Sequence, residues 1–179
     1  MGVDKATLTF EGVTLLGRAL GRLDSVCDPV LIAAGDIPLT IAGRHLIPDA
    51  VRGAGPLGGL VAALRASPHR LLAVVAVDLP WIDPMLIAML AARVGEHDVA
   101  VCETSRGIQP LHAVYSTSVL EAAESALAGR DRSLRRLIEG AHALRIAESE
   151  WRDAGFTDSF TRNLNSPSDV AEVSQQPPR

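Results

Sequence analysis

A chain of 179 residues with 47% hydrophobic content is long enough to close one core and short for two, so a single domain is expected. The formal net charge of −4, with no basic stripe and 3% aromatic residues, excludes a nucleic-acid surface, and no apolar run reaches the length of a membrane span. Cys27 and Cys102 stand far apart outside any CxxC pair, and no secretory signal pattern opens the chain, which points to reduced thiols and a cytoplasmic protein.

In chain order, Leu15, Leu16, Ala19, Leu20 and Leu23 recur at helical spacing, and Pro29 to Ala34 reads as a buried strand. His45 to Pro48 is a short strand. Pro56 opens a helix with a Leu57, Leu60, Val61, Leu64 stripe. Leu71 to Val77 is apolar on both faces, which predicts a central strand. Asp83-Pro84 reads as N-cap and first residue of a helix ending near Val94. Strands over Val99 to Cys102 and Leu111 to Tyr115 and helices over Val119 to Ala128 and Leu134 to Glu139 follow. Ser166-Pro167-Ser168-Asp169 is a capping box opening a last helix, and residues 174–179 read as a disordered polar tail. The alternation predicts a three-layer, doubly wound, mostly parallel α/β sheet, one domain over residues 1–173.

Ligands of such sheets sit beyond the carboxyl ends of the strands. Three loops fall there: Gly53 to Gly59, Val77-Asp78-Leu79-Pro80, and the opening Gly2-Val3-Asp4-Lys5, which runs towards a helix with no strand before it. Lys5 is the only lysine; the other sixteen basic residues are arginines. Lysine is a compact point charge and arginine a planar fork, so the two differ at a site gripping one phosphate oxygen. Gly53 to Gly58 also matches GxGxxG, with Asp78 at the distance of a ribose-binding acid. Three details count against a dinucleotide fingerprint: Asp49 to Arg52 separate the strand from the glycines, Pro56 removes a cradle N–H, and Asp78 leads into a Leu-Pro turn. The histidines at 45, 69, 97, 112 and 142 make no zinc-ligand spacing, and there is no GxSxG or Walker sequence.

Taken together, Met1-Gly2-Val3-Asp4-Lys5, Pro48-Asp49, Gly55-Pro56-Leu57-Gly58-Gly59-Leu60, Val77-Asp78-Leu79-Pro80, Gln109-Pro110-Leu111-His112-Ala113-Val114-Tyr115 and Asn163-Leu164-Asn165-Ser166-Pro167 resemble the ordered motifs of the molybdenum cofactor guanylyltransferase family. The resemblance implies a Rossmann-like nucleotidyltransferase fold and transfer of GMP from GTP to the phosphate of molybdopterin, with Mg²⁺. Related cytidylyl or sugar-phosphate transfer, or an inactive truncated homologue, are the alternatives. The family's opening strand and glycine-rich phosphate turn have no counterpart before Met1, so an N-terminally incomplete domain is expected. That strand would lie beside Leu71 to Val77, and its absence would deprive two neighbours of ladder partners.

By the same resemblance Asp78 holds Mg²⁺ and Lys5 neutralises the triphosphate, the two catalytic positions. Gly2, Asp49, Gly55 and Pro56 join them in binding the nucleotide, while Gln109, Pro110, Asn163 and Asn165 form the pterin side. Where some members carry asparagine at the end of the second strand, this chain has Ala33-Ala34-Gly35. Implied partners are GTP, molybdopterin and, transiently, molybdoenzymes or other cofactor-synthesis proteins.

Overall fold

The computed structural model describes residues 5–35 and 44–175. The segment after Lys5 departs from expectation, because a 3₁₀ turn, Lys5–Thr7, leads into a small hairpin before the helix begins. That hairpin pairs β1 (Thr9–Phe10) with β2 (Val13–Thr14). Glu11 and Gly12 turn it at φ 50° and 77°, the paired positive angles of a tight hairpin turn. Thr14 then caps α1 (Leu15–Leu23), its hydroxyl accepting from Gly17 N.

Next come the parallel pair β3 (Leu31–Ala33) and β4 (His45–Ile47), α2 (Pro56–Ala66) and β5 (Leu71–Val75). The Asp83 carboxylate caps α3 (Pro84–Arg93) as the sequence predicts, accepting from Met85 N and Leu86 N. Then follow β6 (Val99–Thr104), β7 (Gly107–Ser116), α4 (Leu120–Ala128) and α5 (Leu134–Gly140). β8 (Ala143–Ile146) and α6 (Glu148–Asp153) were too short to read from periodicity. The last helix, α7 (Pro167–Gln175), takes 174 and 175 out of the expected tail; 176–179 lie outside the described residues.

The main sheet has the order β5-β7-β6-β8, with β7 antiparallel to its neighbours and the other three strands pointing the same way. Alternation along β6 and β7 sends Val99, Val101, Ala113 and Tyr115 to α2, α4 and α5, and Ala100, Cys102 and Val114 to α1, α3 and α6. These are the three layers expected.

Two features differ. Leu71–Val75 is not central among the described residues: β5 pairs only with β7, β3 pairs only with β4, and every residue of β5 stays partly exposed. α2 packs on both β3 and β5, and between the two strands lies an apolar cleft of about 600 Å³. Among the described residues, β3-β4 and β5-β7-β6-β8 are therefore separate sheets with that cleft between them. β7 also begins at Gly107, so Gln109 and Pro110 lie in a strand rather than a loop. Pro110 has no N–H to give a ladder, and it falls where the β6–β7 register shifts, between the pairs Val101↔Ala113 and Glu103↔Ile108.

Candidate active site

β5 ends at Val75, and Leu79 N donates to Ala76 O, turning the chain so that Asp78 lies beyond the strand's carboxyl end. Leu8, Phe10, Leu15 and Leu164 form a separate small core, with Val77, Trp81 and Val170 packed against it. Phe10 meets Trp81 edge-on at 5.5 Å. This cluster ties together three stretches remote in sequence: the chain after Lys5, the loop after β5, and the segment before α7. Burial of the four side chains at about 1.5–3 kcal/mol each holds those stretches in register.

On that base the polar groups converge. Lys5 Nζ donates to Asp78 Oδ2 at 2.8 Å and to Asn165 Oδ1 at 2.5 Å. Leu164 N donates to the main-chain oxygen of Asp78 at 2.8 Å, joining the two loops through their backbones. The predicted capping box forms: Asp169 Oδ2 accepts from Asn165 N and Ser166 N, and Ser166 Oγ accepts from Asp169 N. Those bonds, the Asn165 amide first, hold the Asp169 carboxyl below its ordinary pKa. Asp169 is thus a positioning group for Asn165, found in the sequence only as a helix cap.

The Lys5 side chain is 44% exposed and that of Asp78 12%, so the pair has one wet end and one dry end. Such a pair adds about 0–1 kcal/mol to stability, too little to be its structural reason. Its geometry suits an anion instead, because the lysine side chain is part exposed while two acceptor oxygens hold its ammonium. No group of three or more His, Cys, Asp or Glu that could enclose a metal ion occurs among the described residues. The Asp78 carboxylate and the Asn165 amide oxygen are hard donors that share one cation here. That set fits Mg²⁺, which takes one or two carboxylates and completes its shell with phosphate oxygens and water.

Asp49, Gly55 and Pro56 line the cleft with Ala33, Ala34 and Gly35. Gly55 stands at φ 63°, ψ −152°, a region open essentially to glycine alone. The glycines of Gly53 to Gly59 divide by role. A Cβ at Gly58 would meet Val51 O at 3.1 Å, and one at Gly59 would meet Ala33 Cβ at 3.1 Å, so Gly58 lets α2 approach the loop after β4 and Gly59 lets it approach β3. Neither Gln109 nor Asn163 hydrogen-bonds to Lys5, Asp78 or Asn165; Gln109 is half-buried in β7 and Asn163 exposed. Val75 pairs with His112, and Ala76 N donates to Leu111 O, which sets Gln109-Pro110 beside the exit of β5. Gly2 lies outside the described residues.

Sequence reasoning gave His112 no role of its own, setting it within the Gln109 to Tyr115 motif and among the histidines without zinc-ligand spacing. It is fully buried, and its Nε2 accepts from Asp83 N at 3.2 Å. An unbroken apolar strand around one histidine was the available signal.

The profile of the family described as "MobA-like NTP transferase domain" matches residues 1–147. A relative from Mycobacterium avium (strain 104), named "Probable molybdenum cofactor guanylyltransferase", is 34% identical over 182 residues, covering 98% of this chain and 89% of its own length. Another of the same name from Pelotomaculum thermopropionicum is 30% identical over 175 residues, covering 97% and 85%. Among solved structures, molybdopterin-guanine dinucleotide biosynthesis protein A from Archaeoglobus fulgidus superposes with a TM-score of 0.81 at 19% identity, covering 97% of this chain and 90% of its own. A Mycobacterium tuberculosis H37Rv protein solved in complex with manganese does so with a TM-score of 0.62 at 16% identity, covering 83% and 89%.

Proposed function

The chain belongs to the MobA-like NTP transferase family, and from that premise we propose that it transfers GMP from GTP to the phosphate of molybdopterin. The observation that carries this is the convergence of Lys5, Asp78 and Asn165 at the carboxyl end of β5. The acceptor's terminal phosphate oxygen attacks the α-phosphorus of GTP, the bond to the bridging oxygen breaks, and pyrophosphate leaves. The protein's part is to position and neutralise.

Lys5 swings its exposed ammonium from Asp78 to the triphosphate and offsets the charge that gathers on the departing pyrophosphate. Asp78 and Asn165 would hold Mg²⁺, which would supply charge neutralisation to the phosphate oxygens. The manganese-bound neighbour supports a divalent metal of this kind. Asp49 takes the guanine's N1–H and N2–H₂ as an acceptor. Gly55 and Pro56 let the backbone approach the nucleotide, and Gln109, Pro110 and Asn163 face the pterin. Asn165, first grouped with the pterin side, belongs in this reading with Lys5 and Asp78.

The open edges of β3 and β5 and the apolar cleft between them support a further element of this reading. An extended strand seated there, ending in a glycine turn, brings backbone N–H groups to the phosphates. Two free thiols, and the absence among the described residues of a helix able to cross a membrane, agree with a cytoplasmic setting. Release of pyrophosphate and formation of the dinucleotide, followed with GTP and with CTP at equal concentration in the presence of molybdopterin and Mg²⁺, tests the proposal. Product from GTP at least tenfold faster is expected; faster product from CTP overturns the guanylyl assignment.

A further inference from the structure

We propose that His112 is a positioning residue for the transfer reaction, its imidazole being the fixed post against which the segments carrying Asp78 and Asn165 are set. This rests on the functional reading above. His112 lies in β7 opposite Val75, three residues before Asp78, and is fully buried. On one side Nε2 accepts from Asp83 N at 3.2 Å, which fixes the far end of the loop that begins at Asp78. On another side its ring lies 5.1 Å from that of Phe160, tilted by 44°. Phe160 belongs to the short 3₁₀ turn Asp158–Thr161, which leads directly into the Asn163 to Asn165 segment. One side chain therefore contacts both loops whose backbones meet at the Leu164 N to Asp78 O bond.

The bonding also fixes the ring's form. An N–H donated to Nε2 requires the lone pair there, so the ring is neutral with its proton on Nδ1. Nδ1 is buried with no hydrogen-bond partner. A leucine would fill the space without that cost. What histidine adds is the acceptor for Asp83 N, and this singles out loop placement rather than packing as its role.

His112→Leu keeps the bulk and removes the acceptor, while His112→Gln restores an acceptor at the reach of Nε2. The measurements are amide hydrogen exchange at Leu79, Trp81, Ile82, Asp83 and Leu164, thermal melting, and kcat and KM for GTP well below the melting temperature. In the leucine variant exchange at these five amides is expected to quicken tenfold or more, with kcat falling about 10- to 100-fold, the scale of lost ligand-orienting contacts, and KM within threefold. The glutamine variant is expected to stay within threefold of the parent in each. Unchanged exchange at these amides in a folded leucine variant overturns the proposal. So does exchange that quickens evenly over α3 and β7, or a glutamine variant that fails like leucine while folded. If the parent itself gives no transfer, the functional reading fails alone, and the exchange measurements still decide the role of His112.

Discussion

Lys5 and Asp78, 73 residues apart in the chain, meet as an ammonium and a carboxylate at 2.8 Å, with Asn165 as the ammonium's second acceptor. Asp78 does not cap the turn after β5, since its side-chain bond goes to Lys5 while its main-chain oxygen receives Leu164 N. Asp78→Asn therefore removes charge from the site and leaves the backbone junction in place. Transfer is expected to fall at least 100-fold and stability by no more than about 1 kcal/mol. Turnover with Mg²⁺ and GTP beside a thermal melt measures both, and activity within a fewfold of the parent removes Asp78 from the metal site.

Lys5 is a point charge held between two oxygens, so a guanidinium cannot replace it without moving Asn165. Lys5→Arg is expected to cost nearly as much as Lys5→Ala in kcat/KM for GTP, about 2–4 kcal/mol of transition-state stabilisation. Full activity in the arginine variant would show that diffuse positive charge suffices.

Asp169 braces Asn165 through its backbone N–H, and Asp169→Ala should loosen that loop without touching Lys5 or Asp78. The carboxyl's pKa is lowered in the folded state, so its contribution is present above the ordinary carboxylate range and lost as pH falls through the lowered value. Melting curves of parent and variant should differ at neutral pH and converge in acid. A constant difference at every pH refutes the linkage.

His112 supplies a second dependence of the same sign, this time from a base and at higher pH. Burial pushes it from 6.5 down to about 4, so the unfolded chain binds a proton that the native ring refuses. Stability tied to this group is complete above about pH 6.5 and declines as pH falls towards about 4. At 1.36 kcal/mol per pKa unit the loss is about 3 kcal/mol. Denaturant midpoints should show the parent losing that much more than His112→Gln over this window; parallel curves would exclude it.

The cleft between β3 and β5 gives a prediction of a different kind. A synthetic apolar strand peptide carrying a C-terminal glycine-rich turn should raise the melting temperature and slow amide exchange along β5. A scrambled peptide of the same composition should do neither. If both act alike, the cleft binds apolar surface without strand pairing.

Residues 71–75 announced a strand, Pro56 and Asp83-Pro84 announced helix starts, and Ser166 to Asp169 announced a capping box, because each depends on neighbours within a few positions. Lys5 and Asp78 were legible as candidates because a sole lysine and a carboxylate at a strand end are unusual locally. The antiparallel course of β7 and the meeting of Lys5 with Asn165 were not legible. Strand order and loop-to-loop contacts are set by packing between segments remote in sequence, 73 residues apart for Lys5 and Asp78 and 160 for Lys5 and Asn165, and periodicity records only which face of a segment is apolar. His112 marks that boundary most sharply. Within its own strand it is one polar residue in an apolar run, and only tertiary structure brings Asp83 N to one side of its ring and Phe160 to another.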